Sequence, residues 1–109
     1  MGDHRFIQRI PVTFHVKFSS TFFGTGEGII NDVTIQGGRI QTEVNVPWHC
    51  YLELRLHVSH ADMPIVVDLA AVRWVLRGHV GVDFLSMRPE HQTRLQQIIE
   101  QVADLEETT

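Results

Sequence analysis

Hydrophobic and polar residues alternate along much of the chain, a pattern typical of β-strands with one buried face. The alternation is clearest in residues 11–18 and in residues 52–58, where leucine and valine are separated by single charged or histidine residues. Four more strands are predicted at residues 28–33, 39–44, 65–76 and 79–84. The 65–76 strand is expected to bend near Ala70 and Ala71.

Glycine and small polar residues separate these predicted strands. Residues 19–28 contain three glycines, two serines and two threonines, which indicates a connecting loop. Phe22 and Phe23 lie in this segment and are expected to pack against the domain or against a partner. The sequence Gln36-Gly37-Gly38 predicts a turn, because paired glycines adopt positive φ at little cost.

The hydrophobic period changes towards the end of the chain, where apolar residues recur every three or four positions. This stripe consists of Leu95, Ile98, Ile99, Val102 and Leu105. The spacing predicts an amphipathic α-helix, and Pro89 and Glu90 suit its first turn. Six strands followed by one helix predict a mainly β fold, an antiparallel β-barrel or curled sheet with the helix covering one opening.

Length and charge narrow the possible functions. The chain has 109 residues, enough for one domain, and a formal net charge of −4 with only nine Lys plus Arg. Since a general nucleic-acid-binding protein carries a basic face, we expect no nucleic-acid partner, although a few arginines can still hold a small anion. Cys50 is the only cysteine, so no intramolecular disulfide can form. No apolar run resembles a signal peptide or a membrane span, so we expect a cytoplasmic protein without membrane insertion.

No motif for catalysis or metal binding is present. The sequence has no GxSxG, P-loop or GxGxxG pattern, so we expect no catalytic residues and no enzymatic activity. His57 and His60 are three residues apart, but they fall across a strand end and a turn, and no further ligand motif accompanies them. We therefore predict no metal site. Trp74 and Phe84 are expected to lie in the core, and Cys50 is expected to be a small buried apolar residue.

Two short motifs carry the most specific signal. Arg5 and Arg9 are spaced by four residues just before the first strand, and Asp32, Thr34 and Gly37 lie at the end of the second strand and in its turn. Together they resemble the paired signatures RxxxR and [D/N]xSxxG of the PilZ family. The segments Ala71-Val72-Arg73-Trp74 and Val80-Gly81-Val82-Asp83-Phe84, followed by the amphipathic helix, are similar to the late part of that family. The resemblance covers residues 5–103.

The resemblance implies a PilZ-like six-stranded antiparallel split β-barrel with a C-terminal α-helix, and a receptor for the second messenger cyclic di-GMP. It divides the chain into a flexible ligand-binding arm at residues 1–10, the barrel and helix at residues 11–105, and a tail at residues 106–109. No other cofactor is expected. The ligand-binding residues would be Arg5, Arg9, Asp32, Thr34 and Gly37.

The chemistry of these residues suits that ligand. Arginine presents a planar fork of donors that matches guanine O6 and N7 or two phosphate oxygens. The Asp32 carboxylate can accept from guanine N–H groups or can orient an arginine, and the sequence leaves both roles open. The Thr34 hydroxyl can donate or accept hydrogen bonds, and Gly37 permits close approach of the backbone to the ligand.

Some features depart from the family pattern. Thr34 stands where the family usually has Ser, and His4 stands where relatives often carry a basic residue. Three further arginines are possible auxiliary contacts: Arg39, Arg73 and Arg77. The alternative function is a PilZ-like protein–protein adaptor that binds no nucleotide. In either case we expect an unidentified downstream protein partner, a monomer or homodimer, and, from the resemblance alone, a process such as motility, polysaccharide export or biofilm formation.

Overall fold

The computed structural model describes residues 10–59 and 63–107, with the side chains placed up to residue 105. Within these residues the chain forms six strands and one helix: β1 (Ile10–Ser20), β2 (Gly24–Thr34), β3 (Gly37–Gln41), β4 (Tyr51–His57), β5 (Ile65–Leu76), β6 (His79–Ser86) and α1 (Pro89–Glu107). Every predicted strand is present, although β1, β2 and β6 are longer than expected and β3 begins at Gly37 and ends at Gln41 instead of spanning residues 39–44. Ile10, which was assigned to the arm, is the first residue of β1 and is only 1% exposed.

The six strands close into a barrel in the order β1-β2-β3-β6-β5-β4, and every neighbouring pair is antiparallel. This confirms the predicted antiparallel barrel with a C-terminal helix. The pairing of β5 with β6 shifts register on either side of residues 70–72, at the predicted bend.

The interior is filled by alternate residues of the strands, as the binary pattern predicts. Leu52, Leu54 and Leu56 on β4 are all 2% exposed or less. From β1, Val16 and Phe18 point to the same core, and Cys50 is also buried. Burial raises the pKa of the Cys50 thiol, as expected of an inert apolar position.

The helix α1 buries one stripe against the barrel. Leu95, Ile99 and Ala103 are buried, and Ile98 and Val102 pack at the edge of the core. The prediction was wrong for Leu105, which is 68% exposed. At a period of 3.6 residues, Ala103 continues the Leu95–Ile99 stripe better than Leu105 does, but alanine is too small to stand out in a hydrophobic pattern.

The segment predicted as a loop at residues 19–28 is a tight hairpin instead. β1 and β2 pair as far as Ser20 and Gly24, and the turn occupies only residues 21–23. Gly24 adopts the positive φ that the turn requires, whereas Gly26 and Gly28 serve close packing; a Cβ on Gly26 would lie 2.5 Å from the Phe18 ring. Phe23 packs edge-on against Phe18, whereas Phe22 at the tip is 81% exposed.

Candidate functional site

A cleft of about 330 Å³ lies on the outer face of the barrel, across β2, β3, β6 and β5. It contains the three described members of the predicted site, Asp32, Thr34 and Gly37. Its remaining lining residues are Gln36, Gly38, Arg39, Arg73, Trp74, Gly81, Val82 and Asp83. Arg5 and Arg9 lie outside the described residues.

Strand register explains why residues distant in sequence meet here. One row of directly paired residues crosses four strands, from Asp32 through Arg39 and Gly81 to Trp74. A second row, two residues further along β2, runs through Thr34, Gly37 and Asp83. Successive side chains of a strand point to opposite faces, so these two rows share one face of the sheet. Side chains on neighbouring strands in one row are about 5 Å apart. The cleft is therefore built mainly from two rows of the same face.

Two glycines form the floor of the cleft. A Cβ on Gly37 would lie 2.2 Å from the Val82 carbonyl oxygen, and a Cβ on Gly81 would lie 2.1 Å from Nε1 of Trp74. Gly37 thus lets β3 approach β6, and Gly81 lets the Trp74 indole lie against the sheet. The floor is flat because neither position has a side chain.

The predicted turn at Gln36-Gly37-Gly38 is wrong in its position. The turn consists of Ile35 and Gln36, and both glycines belong to β3. Neither glycine adopts positive φ. Both are required by close contact, because a Cβ on Gly38 would lie 2.8 Å from the Asp32 carbonyl oxygen.

The Thr34 hydroxyl shapes the turn. Its oxygen accepts hydrogen bonds from the backbone N–H groups of Gln36 at 2.9 Å and Gly37 at 3.1 Å. This is the Ser/Thr turn arrangement, in which the side chain replaces a backbone acceptor. Serine and threonine can both provide it, so a serine at position 34 could make the same two contacts.

Asp32 lies at the wall of the cleft and pairs with an arginine. Oδ2 of Asp32 is 3.3 Å from Nη2 of Arg39, and the carboxylate side chain is only 15% exposed. Nε of Arg39 is buried and has no hydrogen-bond partner among the described residues. Within the described residues Asp32 thus forms an ion pair with Arg39. Both roles that the sequence left open for Asp32, accepting from guanine and orienting a motif arginine, stay predictions.

Arg73 and Trp74 form the opposite wall. The β5–β6 register shifts between Val72 and Trp74, and an extra residue of this kind places two successive side chains on one face. Both Arg73 and Trp74 are exposed accordingly. The expectation that Trp74 lies in the core is wrong, since it is 43% exposed; Phe84 does pack against the core.

The first residues of β1 lie beside the Asp32 wall. Ile10 pairs with Val33, and Pro11 pairs with Asp32. In the sequence, Arg9 directly precedes Ile10 and Arg5 lies five residues before it. The segment that carries both motif arginines therefore leads into the strand that pairs with Asp32.

Neither Arg77 nor the metal site or membrane span considered from the sequence is part of this cleft. Arg77 lines a different depression, near Thr42 and Gly78. Within residues 10–59 and 63–107, no three His, Cys, Asp or Glu side chains are arranged to hold a metal ion. None of the helices in this part of the chain is both apolar enough and long enough to cross a membrane. His60 lies outside the described residues.

The fold is that of a PilZ domain, as comparison with solved structures shows. The PilZ domain of Escherichia coli YcgR with c-di-GMP superposes with a TM-score of 0.69 at 14% identity, covering 94% of this chain and 93% of that one. The PilZ domain of CeSA from a cellulose-synthesizing bacterium gives a TM-score of 0.68 at 12% identity, covering 88% and 98%.

A longer protein contains the same fold. The Bacillus subtilis inhibitor of motility MotI/DgrA matches with a TM-score of 0.74 at 12% identity over 92% of this chain. The present chain spans about half of that protein, 51% of its length. No family model and no curated protein matches the sequence itself. The comparisons therefore show the PilZ fold, as the resemblance of the motifs implied.

Proposed function

We propose that this chain is a PilZ receptor domain that binds cyclic di-GMP in the cleft and relays the signal to a partner protein. The observation that supports this most strongly is the convergence of Asp32, the Thr34 turn and Gly37 on one cleft, beside the strand that follows Arg5 and Arg9. The two motifs are separated along the chain. The pairing of β1 with β2 brings Ile10 and Pro11, which follow the first motif in sequence, beside Val33 and Asp32 of the second.

Each part of the cleft suits a part of the ligand. Arg5 and Arg9 bring two guanidinium forks to the rim, where they can grip phosphate oxygens or the O6 and N7 edge of guanine. Asp32 accepts from the N–H groups of the same base. The absence of a side chain at Gly37 leaves room for a planar purine, and the half-exposed Trp74 indole, which lies over Gly81, offers a stacking surface.

Isothermal titration calorimetry tests the binding. We expect the wild type to bind cyclic di-GMP with a micromolar Kd or tighter, about −8 kcal/mol. Arg9→Ala should remove most of this affinity. Arg55→Ala is the matched control, since Arg55 is an exposed arginine on β4, outside the cleft. GTP and cyclic di-AMP should compete poorly. Absence of heat at high concentrations of protein and cyclic di-GMP would refute the proposal.

Signalling requires that the ligand bind one state of the domain better than another. We propose that cyclic di-GMP bridges the arm at residues 1–10 to the Asp32–Gly37 segment and so creates a new surface for the partner. Amide hydrogen exchange tests this, with slower exchange expected in residues 1–10 when ligand is bound. Unchanged exchange there would exclude arm ordering while leaving binding itself intact.

A second candidate is an adaptor that recognises its partner without nucleotide. It is favoured by the large apolar side chains on the surface, including Phe22 at 81%, Trp48 at 64% and Tyr51 at 59% exposure. Partner capture that is indifferent to cyclic di-GMP and to Arg9→Ala would support this candidate over the receptor. Capture that requires the nucleotide would exclude it.

A further inference from the structure

We propose that Arg73, held in place by Asp83, is a phosphate-binding group of the cleft in addition to the motif arginines. This inference rests on the proposed function and adds to it, since neither residue belongs to the two motifs. Asp83 acts as a positioning residue, and the ligand contact is made by the guanidinium of Arg73.

The ion pair between the two residues orients the guanidinium. Nε of Arg73 donates to Oδ2 of Asp83 at 2.7 Å, a distance typical of a charge-assisted hydrogen bond. Because the contact uses Nε, the two terminal nitrogens are left for another acceptor. Within the described residues they make no hydrogen bond or ion pair. A pair of parallel N–H donors of this kind matches two phosphate oxygens.

The backbone of Arg73 is fixed from the other side of β5. The indole N–H of Trp48 donates to the Arg73 carbonyl oxygen at 3.0 Å, and the Val72 N–H donates to the Cys50 carbonyl oxygen at 2.9 Å. Arg73 is thus anchored through both its carbonyl group and its Nε. A side chain that is already held in place loses less conformational entropy when it binds a ligand.

The other described arginine of the cleft is arranged differently. Nη2 of Arg39 faces the Asp32 carboxylate and its Nε is buried, so its fork is already partly occupied. Two arginines and two aspartates line the described cleft, and their formal charges cancel. A carboxylate beside an anionic ligand is unfavourable unless it has a compensating role. Holding Arg73 supplies that role for Asp83.

A double-mutant cycle in cyclic di-GMP titrations separates positioning from direct contact. Arg73→Ala should weaken binding roughly tenfold, as loss of a hydrogen bond to a charged group does. It should also make the salt dependence of the affinity shallower. Asp83→Ala should weaken binding in the wild type, and in the Arg73→Ala background it should cause no further weakening, because the carboxylate then has no arginine to position and only repels the ligand.

The conservative substitution at Asp83 should restore the affinity for cyclic di-GMP that Asp83→Ala loses. Asp83→Asn keeps an oxygen that accepts from Nε and removes a negative charge, so its affinity should equal or exceed that of the wild type. The control pair is Arg55 and Glu53, which form an exposed ion pair at 3.3 Å outside the cleft. Alanine variants of that pair should bind as the wild type does. Additive effects of the Arg73 and Asp83 substitutions would contradict the positioning role.

A readout with inorganic pyrophosphate distinguishes failure of this inference from failure of the proposed function. The Nε–H signal of Arg73 in ¹⁵N NMR spectra should shift when pyrophosphate is added to the wild type, and not in Asp83→Ala. A pyrophosphate response without cyclic di-GMP binding would refute the receptor and retain the subsite. Binding of cyclic di-GMP that Arg73→Ala does not weaken would refute the subsite and retain the receptor. No response to either ligand would refute both.

Discussion

Gly37→Ala tests the role that the structure gives to the glycine of the second motif. The new Cβ would lie 2.2 Å from the Val82 carbonyl oxygen, whereas Cβ atoms do not approach neighbours closer than 3.0 Å, so β3 and β6 would have to separate by about 0.8 Å. A backbone hydrogen bond of about 2.9 Å stretched by that amount is effectively lost.

The loss in the free energy of unfolding follows from the β3–β6 hydrogen bonds that are strained. Gly37 pairs with Asp83 and Gly38 pairs with Val82, so two neighbouring links of the β3–β6 ladder are strained. At roughly 1 kcal/mol for each of the two hydrogen bonds, with 1–3 kcal/mol for overpacking, we expect a loss of about 3–5 kcal/mol. For a domain of this size that lowers Tm by more than about 10 °C. Urea and thermal unfolding followed by tryptophan fluorescence measure it.

Gly81→Ala is the matched comparison. The obstacle there is the Trp74 ring, with a Cβ-to-Nε1 distance of 2.1 Å, and this half-exposed side chain can rotate away. We expect a loss of stability below about 1.5 kcal/mol together with a changed Trp74 emission. If Gly37→Ala proved as stable as the wild type, or if Gly81→Ala proved the more destabilised of the two, this account of the cleft floor would be wrong.

Three other predictions concern the turn, the core and pH. Thr34→Val removes the acceptor of two backbone N–H groups and should cost about 1–2 kcal/mol in urea unfolding, while Thr34→Ser should stay within about 0.5 kcal/mol of the wild type. Leu54→Ala, at a fully buried position, should cost about 2–5 kcal/mol, and a loss below about 1 kcal/mol would contradict the observed core. The pKa of His57 is lowered, mainly by burial and then by nearby cationic side chains, so the unfolded chain binds the proton more readily than the folded chain. The free energy of unfolding should therefore fall as the pH drops below about 6.5, and His57→Gln should lessen that fall. Equal pH dependence of the free energy of unfolding in both proteins would refute this.

The fold was predictable because its signal is local. The alternation at Leu52, Leu54 and Leu56 and the helical spacing of Leu95 and Ile99 reflect burial directly. The β1–β2 connection was predicted wrongly because glycine favours both turns and close strand packing, and a single sequence cannot separate the two.

The candidate site was predictable only where one motif contains it. Asp32, Thr34 and Gly37 lie within six residues of each other. Arg73 and Trp74 reach the cleft through the register of β5 with β6 and its bulge, which are non-local properties. Gly81 was the one local indication that Trp74 lies on the surface of the sheet, because a glycine leaves room for the indole. The pairing of Gly81 with Trp74, however, depends on the closure of the whole barrel.

The most direct test of the central claim is an amide NMR titration of the chain with cyclic di-GMP. The account predicts that the largest shift changes fall on residues 1–10, on the Asp32–Arg39 segment and on the Arg73–Trp74 and Gly81–Asp83 segments. The outer face of β1 and β4 around Lys17 and Arg55 should change little. Spectra that do not change, or changes confined to that opposite face, would contradict it.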